Sequence, residues 1–507
     1  MDPEYIHIIL LILSSSVAFL TALHILFSMQ DDSEWARLWL LLLLLLPVLG
    51  VILYWTAGVS RKNTFGKRVL HAVRNFAMKH SSVEQNGSLY RTGEEIRKFF
   101  TPPDRDFAPV ESLLDHLLHP RGKEETRNSP HESLRHLFCS CSGNSAELYC
   151  DGTQGYPAML EAIRSAKDHI HLQSYIFAND PVGRAILAAL RERARNGVEV
   201  RILFDKLGSL SSMWQLLRCT KGCPENFHIH PFSHSSLLTP WRLQLRNHRK
   251  LLITDGKIAF TGGLNISYEN VRTPRQEGIH DFHCRIRGPV VSELQYAFLC
   301  DWLYGAGKKE PSLDLPRYFP LPEPEGNNRI RVMTSGHGYH FRGTEKVFFT
   351  AAAAAKKSLW IITPYFVPGQ DFVKALCIAA AKGVDVRIIV PENNDHWYVK
   401  LASSSHYETL MENHVRIFRR RGVFSHAKAM LVDSVWCYLG SSNCDNRSFR
   451  LNFELDLLFS AGDFPGILHR QFQTEFKCCH ELTWKDLKKT PLQRVAVGLC
   501  ALSSPVL

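Results

Sequence analysis

Two octapeptides share one pattern in this chain: HRKLLITD at residues 248–255 and HAKAMLVD at residues 426–433. Both fit H-x-K-x4-D, and after six further residues each is followed by a short turn that ends in asparagine. The turns are GGLN at 262–265 and GSSN at 440–443. One match would be weak in a chain with 24 histidines, but two matches with the same distal turn indicate an internal repeat.

The residue types in the repeated motif suit phosphodiester chemistry. Histidine titrates near neutrality, so one copy can attack phosphorus while the other protonates the departing alkoxide. Lysine ammonium groups stabilise the charge that develops on the phosphoryl oxygens. We therefore expect the two copies to act on one phosphate without a metal ion or a cofactor. The candidate catalytic residues are His248, Lys250, Asp255, His426, Lys428 and Asp433.

The carboxylates and amides near the motifs receive more specific expectations. For Asp255 and Asp433 a structural role in the hairpin is favoured over proton transfer. The amides of Asn265 and Asn443 are expected to bind the substrate phosphate. Two further carboxylates are candidates for orienting the histidines. They are Glu454, for which an ordinary surface salt bridge is the alternative, and Asp281, the weaker candidate.

The motif residues are expected to lie on β-hairpins. His248 and Lys250 are two residues apart and share one face of a strand. Residues 251–254 are strand-like, Asp255-Gly256 is a strong turn signal, and residues 258–261 return as a second strand. The second copy has Asp433-Ser434 at the corresponding turn.

The repeat extends upstream of both motifs. IHLQSYIF at 170–177 parallels WIITPYFV at 360–367, and NGVEVRIL at 196–203 parallels KGVDVRII at 382–389. These apolar runs predict buried strands that alternate with helices. The predicted helices cover residues 157–167, 183–195, 344–357 and 371–381. The pattern predicts an α/β fold of two halves related by a pseudo-twofold axis, each with a mostly parallel sheet flanked by helices. The axis would bring the two motifs face to face.

The chain resembles the phospholipase D superfamily, and more closely the bacterial cardiolipin synthases. Besides the two motifs, the resemblance includes YIF at 175–177, DFH at 281–283, TPYF at 363–366 and NCDNRSF at 443–449. It implies a phosphatidyltransferase that converts two phosphatidylglycerols into cardiolipin and glycerol through a phospho-histidine. The chain departs from the family at His280, where arginine is usual, and at Cys444, where leucine or a similar residue is usual.

The resemblance assigns nucleophilic attack to the N-terminal copy, His248, and makes His426 the general acid. The neighbouring residues favour the same assignment. A guanidinium of Arg249 close to His248 would lower the pKa of that imidazole and keep it neutral. Glu454, paired with His426, would favour the protonated acid.

Three other functions use the same sequence features. A phospholipase D would let water replace the lipid alcohol and release phosphatidic acid. A membrane-tethered nuclease of the same superfamily would cleave nucleic acid, but no interleaved aromatic and basic stretch suits base stacking, and no nucleic-acid partner is expected. An inactive membrane scaffold conflicts with two intact motifs.

The N-terminus predicts a membrane location. Residues 6–29 and 38–59 are long apolar runs, each sufficient for the ~20 residues of a transmembrane helix. A cleaved signal peptide is the alternative for the first run, which lacks a basic start and a cleavage site. The basic residues after the second run place the following chain in the cytoplasm. They are Arg61, Lys62, Lys67 and Arg68.

The expected partners are therefore the membrane, phosphatidylglycerol and other anionic phospholipids, which also suit the net charge of +11. The resemblance implies a multi-pass protein of the bacterial inner membrane with its catalytic region in the cytoplasm. The predicted organisation is a transmembrane hairpin (1–60), a linker region (61–145), the first half (146–310), a Pro-rich joint (311–328) and the second half (329–507).

The cysteines predict no metal centre. The chain has 13 of them, and a cytosolic catalytic region would keep them reduced. The closest groupings are Cys139 with Cys141, Cys219 with Cys223, and Cys478 with Cys479 and His480. None of these groupings completes a zinc-binding spacing.

Overall fold

The structure is a computed structural model, and it describes residues 3–28, 33–55, 140–220, 222–232, 245–306, 315–336 and 342–502. The short helix predicted for 110–118 and most of the 61–145 region lie outside these residues. Two compact units are present. One contains the N-terminal helices, and the other contains both motif-bearing halves.

The described residues of the N-terminal unit form the helices α1 (Pro3–Ser28), α2 (Ser33–Leu45) and α3 (Pro47–Leu53). Pro47 begins α3, where the missing backbone N–H of proline is tolerated. The chain then folds back closely, since a Cβ at Gly50 would lie 2.9 Å from the carbonyl oxygen of Leu42. Ile25, Trp39 and Tyr54 form part of a small buried cluster between these helices.

The predicted transmembrane hairpin is not confirmed by these helices. The first predicted run, 6–29, coincides with α1, but the second, 38–59, is divided at Pro47 into α2 and α3. Within the part of the chain that is described, no helix combines the length and the apolar character needed to cross a bilayer.

Among the described residues, each half of the second unit contributes seven corresponding strands to one sheet, and the second half adds an eighth. The strands of the first half are β1 (Cys141–Tyr149), β2 (His169–Ser174), β3 (Glu199–Phe204), β4 (Phe227–Pro231), β5 (Leu251–Thr254), β6 (Ile258–Gly262) and β7 (His283–Arg287). Those of the second half are β8 (Asn328–Ser335), β9 (Ser358–Ile362), β11 (Asp385–Pro391), β12 (Arg416–Arg420), β13 (Ala429–Val432), β14 (Trp436–Gly440) and β16 (Glu454–Ala461). A short strand, β10 (Phe366–Val367), pairs with β15 (Cys444–Asp445), and β17 (Cys479–Glu481) extends the main sheet beyond β12.

The sheet has the same strand order in both halves. It runs β4-β3-β2-β5-β6-β7-β1 in the first half and β12-β11-β9-β13-β14-β16-β8 in the second. The halves join where β1 pairs with β8, so one sheet of 15 strands crosses the whole unit. The repeated order confirms the two-half organisation that the sequence predicts.

The prediction of mostly parallel sheets is wrong, because the sheet is mixed. Within the main sheet, parallel pairing of the described strands is limited to β2–β3–β4 and β9–β11–β12. The motif hairpins β5–β6 and β13–β14 are antiparallel, and they pair in the antiparallel sense with β2 and β9. Alternation of helices and strands indicates parallel pairing only for β2, β3 and β4 and for their counterparts β9, β11 and β12. A tight hairpin, in contrast, joins antiparallel strands.

Helices cover both faces of the sheet. In the first half these are α4 (Gly152–Ser165), α5 (Pro181–Arg195), the short α6 (Met213–Arg218) and α7 (Val291–Ala306). Ile170 and Leu172 on β2 pack in the core with α4 and α5, and the alternating His171 faces α7, where its ring stacks on Phe298 at 4.6 Å.

The second half repeats this covering of the sheet. Its helices are α9 (Gly343–Ala354), α10 (Gln370–Ala381), α11 (Trp397–Ser404), α12 (Tyr407–Glu412), α13 (Asn446–Arg450), α14 (Phe464–Lys477) and α15 (Pro491–Leu502), with α8 (Leu315–Tyr318) in the joint. The four helices predicted from the repeat correspond to α4, α5, α9 and α10 within a few residues.

Candidate active site

The backbone of each motif histidine is fixed by the opposite half. His248 precedes β5, and its amide donates to the carbonyl oxygen of Phe453 at 2.9 Å. His426 precedes β13, and its amide donates to the carbonyl oxygen of His280 at 2.7 Å. These two bridges correspond under the repeat, so the end of each motif strand is held by the other half.

The next residue after each bridge supplies a carboxylate to the histidine. Glu454 Oε2 lies 3.0 Å from His248 Nδ1, and Asp281 Oδ2 lies 2.7 Å from His426 Nδ1. Both carboxylates are fully buried. The expectation that Glu454 pairs with His426 is therefore wrong: each carboxylate serves the histidine of the other half.

These contacts determine which ring nitrogen carries the proton. His248 Nδ1 also lies 3.0 Å from the carbonyl oxygen of Ser441, so both of its neighbours are acceptors and Nδ1–H must donate. His426 Nδ1 lies 2.7 Å from the Asp281 carboxylate and 2.9 Å from Lys428 Nζ, which also donates to the carbonyl oxygen of His426. Since the pKa of Asp281 is lowered and an ionised carboxylate can only accept, Nδ1–H donates to Asp281. In each neutral ring the lone pair is left on Nε2.

The two lysines are buried donors beside the histidines. Lys250 Nζ donates to the carbonyl oxygen of His248 at 2.6 Å and lies 5.3 Å from the centre of the Tyr175 ring. Burial lowers the pKa of Lys250 to about 7 and that of Lys428 to about 8, although Glu454 and Asp281 oppose the shift. Both side chains are almost fully buried, and each ammonium group is a candidate donor to a phosphate beside its histidine.

The electrostatics of the two histidines differ. Burial lowers the pKa of His248 well below its ordinary value, and the charges of Lys250 and Lys428 add to the effect. Burial and Lys428 also lower the pKa of His426, but the Asp281 carboxylate opposes them. Because charges of the second motif act on the first histidine, the two motifs share one site. His248 is the more strongly held neutral base.

The pKa values of the two carboxylates are shifted in opposite directions. Burial favours the neutral acid at Asp281, yet the charges of Lys428 and His426 outweigh it and lower the pKa of that group. Burial raises the pKa of Glu454, against the opposing charge of Lys250. The ionised Asp281 is thus the better partner for an imidazolium, which favours His426 for the acid role; that role stays a prediction.

The proposed effect of Arg249 on His248 is not what the structure contains. The guanidinium forms an ion pair with Asp301 at 2.8 Å and donates to the carbonyl oxygens of Glu454 and Ser335. Its charge is balanced, and it bridges the two halves instead of facing the imidazole. The low pKa of His248 comes from burial and the two lysines.

The two turns after the hairpins hold the carboxylates in different ways. Ser441 Oγ donates to Glu454 at 2.5 Å, and Ser448 and Asn452 donate to the second carboxylate oxygen. At the corresponding position in the first half a side chain is impossible, because a Cβ at Gly263 would collide with the Asp281 carboxylate. The longer glutamate therefore needs a serine where the shorter aspartate needs glycine.

The predicted phosphate-binding amides occupy equivalent positions at the ends of these turns. Asn265 Oδ1 accepts from the amide of Ile176 at 3.3 Å, which holds the side chain beside the end of β2. Asn443 is buried, and its Oδ1 has no hydrogen-bond partner among the described residues. Their binding of phosphate stays a prediction.

Two tyrosines line the site beside the histidines. The Tyr175 ring meets His248 edge-on at 4.9 Å, and the Tyr365 ring meets His426 at 6.2 Å. Sequence reasoning missed Ser441 and the ion pair of Arg249 with Asp301. Nothing in a single sequence marks either, since both depend on contacts between distant strands.

Asp255 and Asp433 are placed away from the histidines, at the far ends of the motif strands. The Asp255 carboxylate accepts hydrogen bonds from the backbone amides of Lys167, Asp168 and His169. Asp433 binds residues 356–358 in the same manner. Their inclusion among the catalytic residues is thus corrected, and the structural role favoured from the sequence fits these contacts.

We expect Asp255→Ala and Asp433→Ala each to lower the free energy of unfolding by about 1–3 kcal/mol, because backbone donors lose their acceptor. Turnover of the folded enzyme should stay within about threefold of the parent, since neither carboxylate reaches a histidine. Thermal unfolding and activity at low temperature measure the two effects. Glu161→Ala, at an exposed position, is the control, and a large loss of turnover at unchanged stability would contradict the structural role.

No group of three metal-binding side chains occurs among the residues that the structure describes. What the site does contain is two imidazoles with Nε2 lone pairs, two orienting carboxylates and two ammonium groups. This set can support in-line displacement at a phosphodiester, with attack by one imidazole and protonation of the leaving group by the other.

Comparison with protein families gives two matches. The family described as "Cardiolipin synthase, PLD-like domain" matches residues 159–302 and 349–478. The family described as "Phospholipase_D-nuclease N-terminal" matches residues 16–58.

Curated relatives match almost the entire chain. A cardiolipin synthase of Clostridium perfringens is 31% identical over 94% of this chain and 95% of its own length. A cardiolipin synthase of Listeria welshimeri is 32% identical over 99% of both chains. Among solved structures, phosphatidylserine synthase of Haemophilus influenzae aligns with a TM-score of 0.57 at 16% identity, over 71% of this chain and 95% of its own, which supports the fold alone.

Proposed function

Since this chain belongs to the cardiolipin synthases, phosphatidyltransferases of the phospholipase D superfamily, we propose that it joins two phosphatidylglycerols into cardiolipin and releases glycerol. The observation that carries the proposal is the pairing of His248 with Glu454 and of His426 with Asp281 in one site.

In the first step His248 Nε2 attacks the phosphorus of one phosphatidylglycerol. A P–N bond forms, and the P–O bond to the headgroup glycerol breaks. His426 in its protonated form donates its Nε2 proton to the departing glycerol oxygen. Glu454 accepts the Nδ1 hydrogen bond of His248 and stabilises the cationic phospho-imidazole.

In the second step the headgroup hydroxyl of another phosphatidylglycerol attacks the same phosphorus. His426, now neutral, takes the hydroxyl proton, the P–N bond breaks, and cardiolipin leaves. Lys250 and Lys428 stabilise the phosphoryl oxygens in both steps, and their positions beside the histidine backbones hold them in place.

The test is product analysis with reconstituted full-length protein and phosphatidylglycerol labelled in the headgroup glycerol and in the acyl chains. The proposal predicts labelled cardiolipin with one free glycerol for each cardiolipin formed. Phosphatidic acid with glycerol would indicate a phospholipase D instead. Cleavage of a nucleic acid in a parallel assay, without lipid conversion, would indicate a nuclease.

We expect the pH dependence of kcat/KM to follow the shifted groups. Activity should be highest at acidic pH, where His248 is neutral and His426 still carries the proton that it donates. It should fall as the pH rises, first as His426 loses its proton below pH 6.5 and then as Lys250 and Lys428 lose theirs between about pH 7 and 8. In kcat the alkaline fall should move upward, since bound phosphate raises the lysine pKa values. Initial rates from pH 5 to 10 measure this, and a flat kcat/KM up to pH 10 would contradict the role of the lysines.

We also propose that the N-terminal helices attach the chain to the membrane, with the catalytic unit on the cytoplasmic side. Many large apolar side chains in α1 and α2 are exposed, among them Phe19, Phe27 and Leu44. Contact of these side chains with lipid is favourable, whereas their exposure to water costs free energy. The basic residues at 61–68 support the cytoplasmic orientation.

We expect a cysteine at Ser33, in a variant depleted of other cysteines, to react with a membrane-impermeant reagent added to intact cells. Ser33 lies between the two predicted spans, in the stretch that this orientation places outside. A cysteine at Asn63 should react only after lysis. The reverse pattern would invert the orientation without affecting the proposed reaction.

A further inference from the structure

The C-terminal helix α15 (Pro491–Leu502) is fixed to the catalytic unit through one face. Val497 is buried, and Cys500 packs against a small cluster formed by Val367, Val399 and Ala402. Just before the helix, Lys489 Nζ donates to the carbonyl oxygen of Ser404, at the end of α11, at 2.9 Å. The helix is therefore a docked element, and its orientation is determined.

The remaining apolar residues of α15 form a stripe on the exposed face. Leu492, Val495, Leu499 and Leu502 are each between 59% and 79% exposed. Their spacing of three, four and three residues places them within one face of a helix. A contiguous apolar stripe on a well-packed helix is unfavourable in water and marks an interaction surface.

The cluster on which α15 packs also contacts a tyrosine of the catalytic centre. Tyr365, whose ring faces His426, also packs on the cluster that holds Cys500. The Tyr365 ring stacks on His396 at 5.9 Å, and the next residue, Trp397, is 69% exposed at the start of α11. An exposed tryptophan thus lies one residue from the wall of the site.

The first half has an exposed tryptophan at the corresponding place. Trp214 and Leu210 are exposed on the segment that follows β3, as Trp397 follows β11. The same segment contacts the site, because Ser209 Oγ donates to the carbonyl oxygen of Tyr175, whose ring faces His248. Both sides of the catalytic centre therefore carry exposed apolar side chains.

The chain around α15 is basic. Lys485 and Lys488 are exposed before the helix, Arg494 is exposed within it, and Lys489 is partly exposed. Residues 484–502 contain these four cations and one carboxylate, Asp486, which gives a net charge of +3. An apolar stripe within a basic segment is complementary to a bilayer of anionic lipid.

We propose that the stripe of α15, together with Trp397 and Trp214, docks the catalytic unit onto an anionic phospholipid bilayer. The inference rests on the proposed function, because the acyl chains of both lipid substrates stay in the bilayer while their headgroups must reach His248 and His426. Docking through segments that contact both histidines brings the site to the headgroups. The tryptophans lie at the interface, and the stripe inserts among the upper parts of the acyl chains.

The test compares the full-length parent with a variant in which Leu492, Val495, Leu499 and Leu502 are all changed to Ser. The control is Ile378→Ser with Leu321→Ser, two apolar residues of matched exposure elsewhere in the unit. Each protein is assayed with phosphatidylglycerol vesicles and with monomeric dihexanoyl phosphatidylglycerol. We expect the stripe variant to lose at least about tenfold on vesicles and to stay within about twofold on the monomeric lipid. The control should match the parent on both.

A second measurement identifies the occupant. Phosphatidylglycerol vesicles carrying a diazirine in the acyl chain are irradiated with the parent protein, and the labelled peptides are mapped. Labelling of residues 491–502 is expected, whereas absence of label there would overturn the proposal. Equal vesicle rates for parent and stripe variant would also overturn it, as would concentration-dependent self-association that the stripe variant abolishes.

The two proposals fail separately. If the parent makes no cardiolipin from either substrate, the proposed function is wrong, while labelling of α15 by the bilayer still reports docking.

Discussion

Replacing either His248 or His426 by alanine should lower cardiolipin formation by at least about 10³-fold. Each imidazole has its own carboxylate and its own lysine, but both act on one phosphorus, so neither substitutes for the other. The double variant should be little worse than the single ones, because residues that act as a unit are not additive. Initial rates with phosphatidylglycerol vesicles measure all three variants.

The control for these variants is His480→Ala, a partly exposed histidine of β17 that lies outside the site. Its rate should equal that of the parent. Circular dichroism and thermal unfolding establish that the motif variants fold. A folded His248→Ala or His426→Ala protein with near-normal rates would contradict a site shared by both motifs.

Changing the leaving group should separate the two histidines. A p-nitrophenyl phosphodiester of a short-chain lipid needs no general acid, because p-nitrophenolate is a stable anion. We expect His426→Ala to release p-nitrophenol in a first turnover at a rate within about tenfold of the parent, whereas His248→Ala stays inactive. The difference follows from the assignment of His248 as nucleophile and His426 as acid.

Replacing each carboxylate should have the same effect as replacing the histidine that it contacts in the other half. Asp281→Asn should resemble His426→Ala and regain activity with the p-nitrophenyl substrate, and Glu454→Gln should resemble His248→Ala and not regain it. With phosphatidylglycerol each should cost about 10²- to 10⁴-fold, as expected for loss of the carboxylate that fixes an imidazole tautomer. Asp371→Asn, on the exposed start of α10, is the control. Rescue of Glu454→Gln in place of Asp281→Asn would contradict the pairing.

The hairpins and helices were predictable because their signals are local. Residues 251–254 form the predicted strand, and Asp255-Gly256 forms a turn in which both residues have positive φ. The second copy needs the same conformation and adopts it with Asp433 and Ser434. Each aspartate also binds the backbone before β2 or β9, which explains the residue type at this position of both motifs.

The arrangement of the site was only partly predictable, because its contacts join residues far apart in the chain. His426 and Asp281 are separated by 145 positions, and His248 and Glu454 by 206. Each half supplies the histidine of one pair and the carboxylate of the other, which no local pattern reveals. The antiparallel pairing of the motif hairpins was missed for the same reason. Alternation of helices and strands does not indicate where in the sheet a hairpin inserts.

The nucleophilic role of His248 stays a prediction, and the structure supports it for physical reasons other than those expected from the sequence. Arg249 is neutralised by Asp301 and bridges the halves. The asymmetry comes instead from Asp281, which is held ionised beside His426, while burial and two lysines keep His248 neutral. A difference of this kind depends on burial, which a sequence does not give.

Trapping the covalent intermediate identifies the histidine that attacks phosphorus. Reconstituted enzyme turning over phosphatidylglycerol labelled at phosphorus is quenched within the first turnover in mild alkali, where phospho-histidine survives, and the modified peptide is mapped. We expect label on His248, and we expect Glu454→Gln to reduce the amount of this phospho-histidine. Label on His426 alone, or turnover with no label on either histidine, would contradict it.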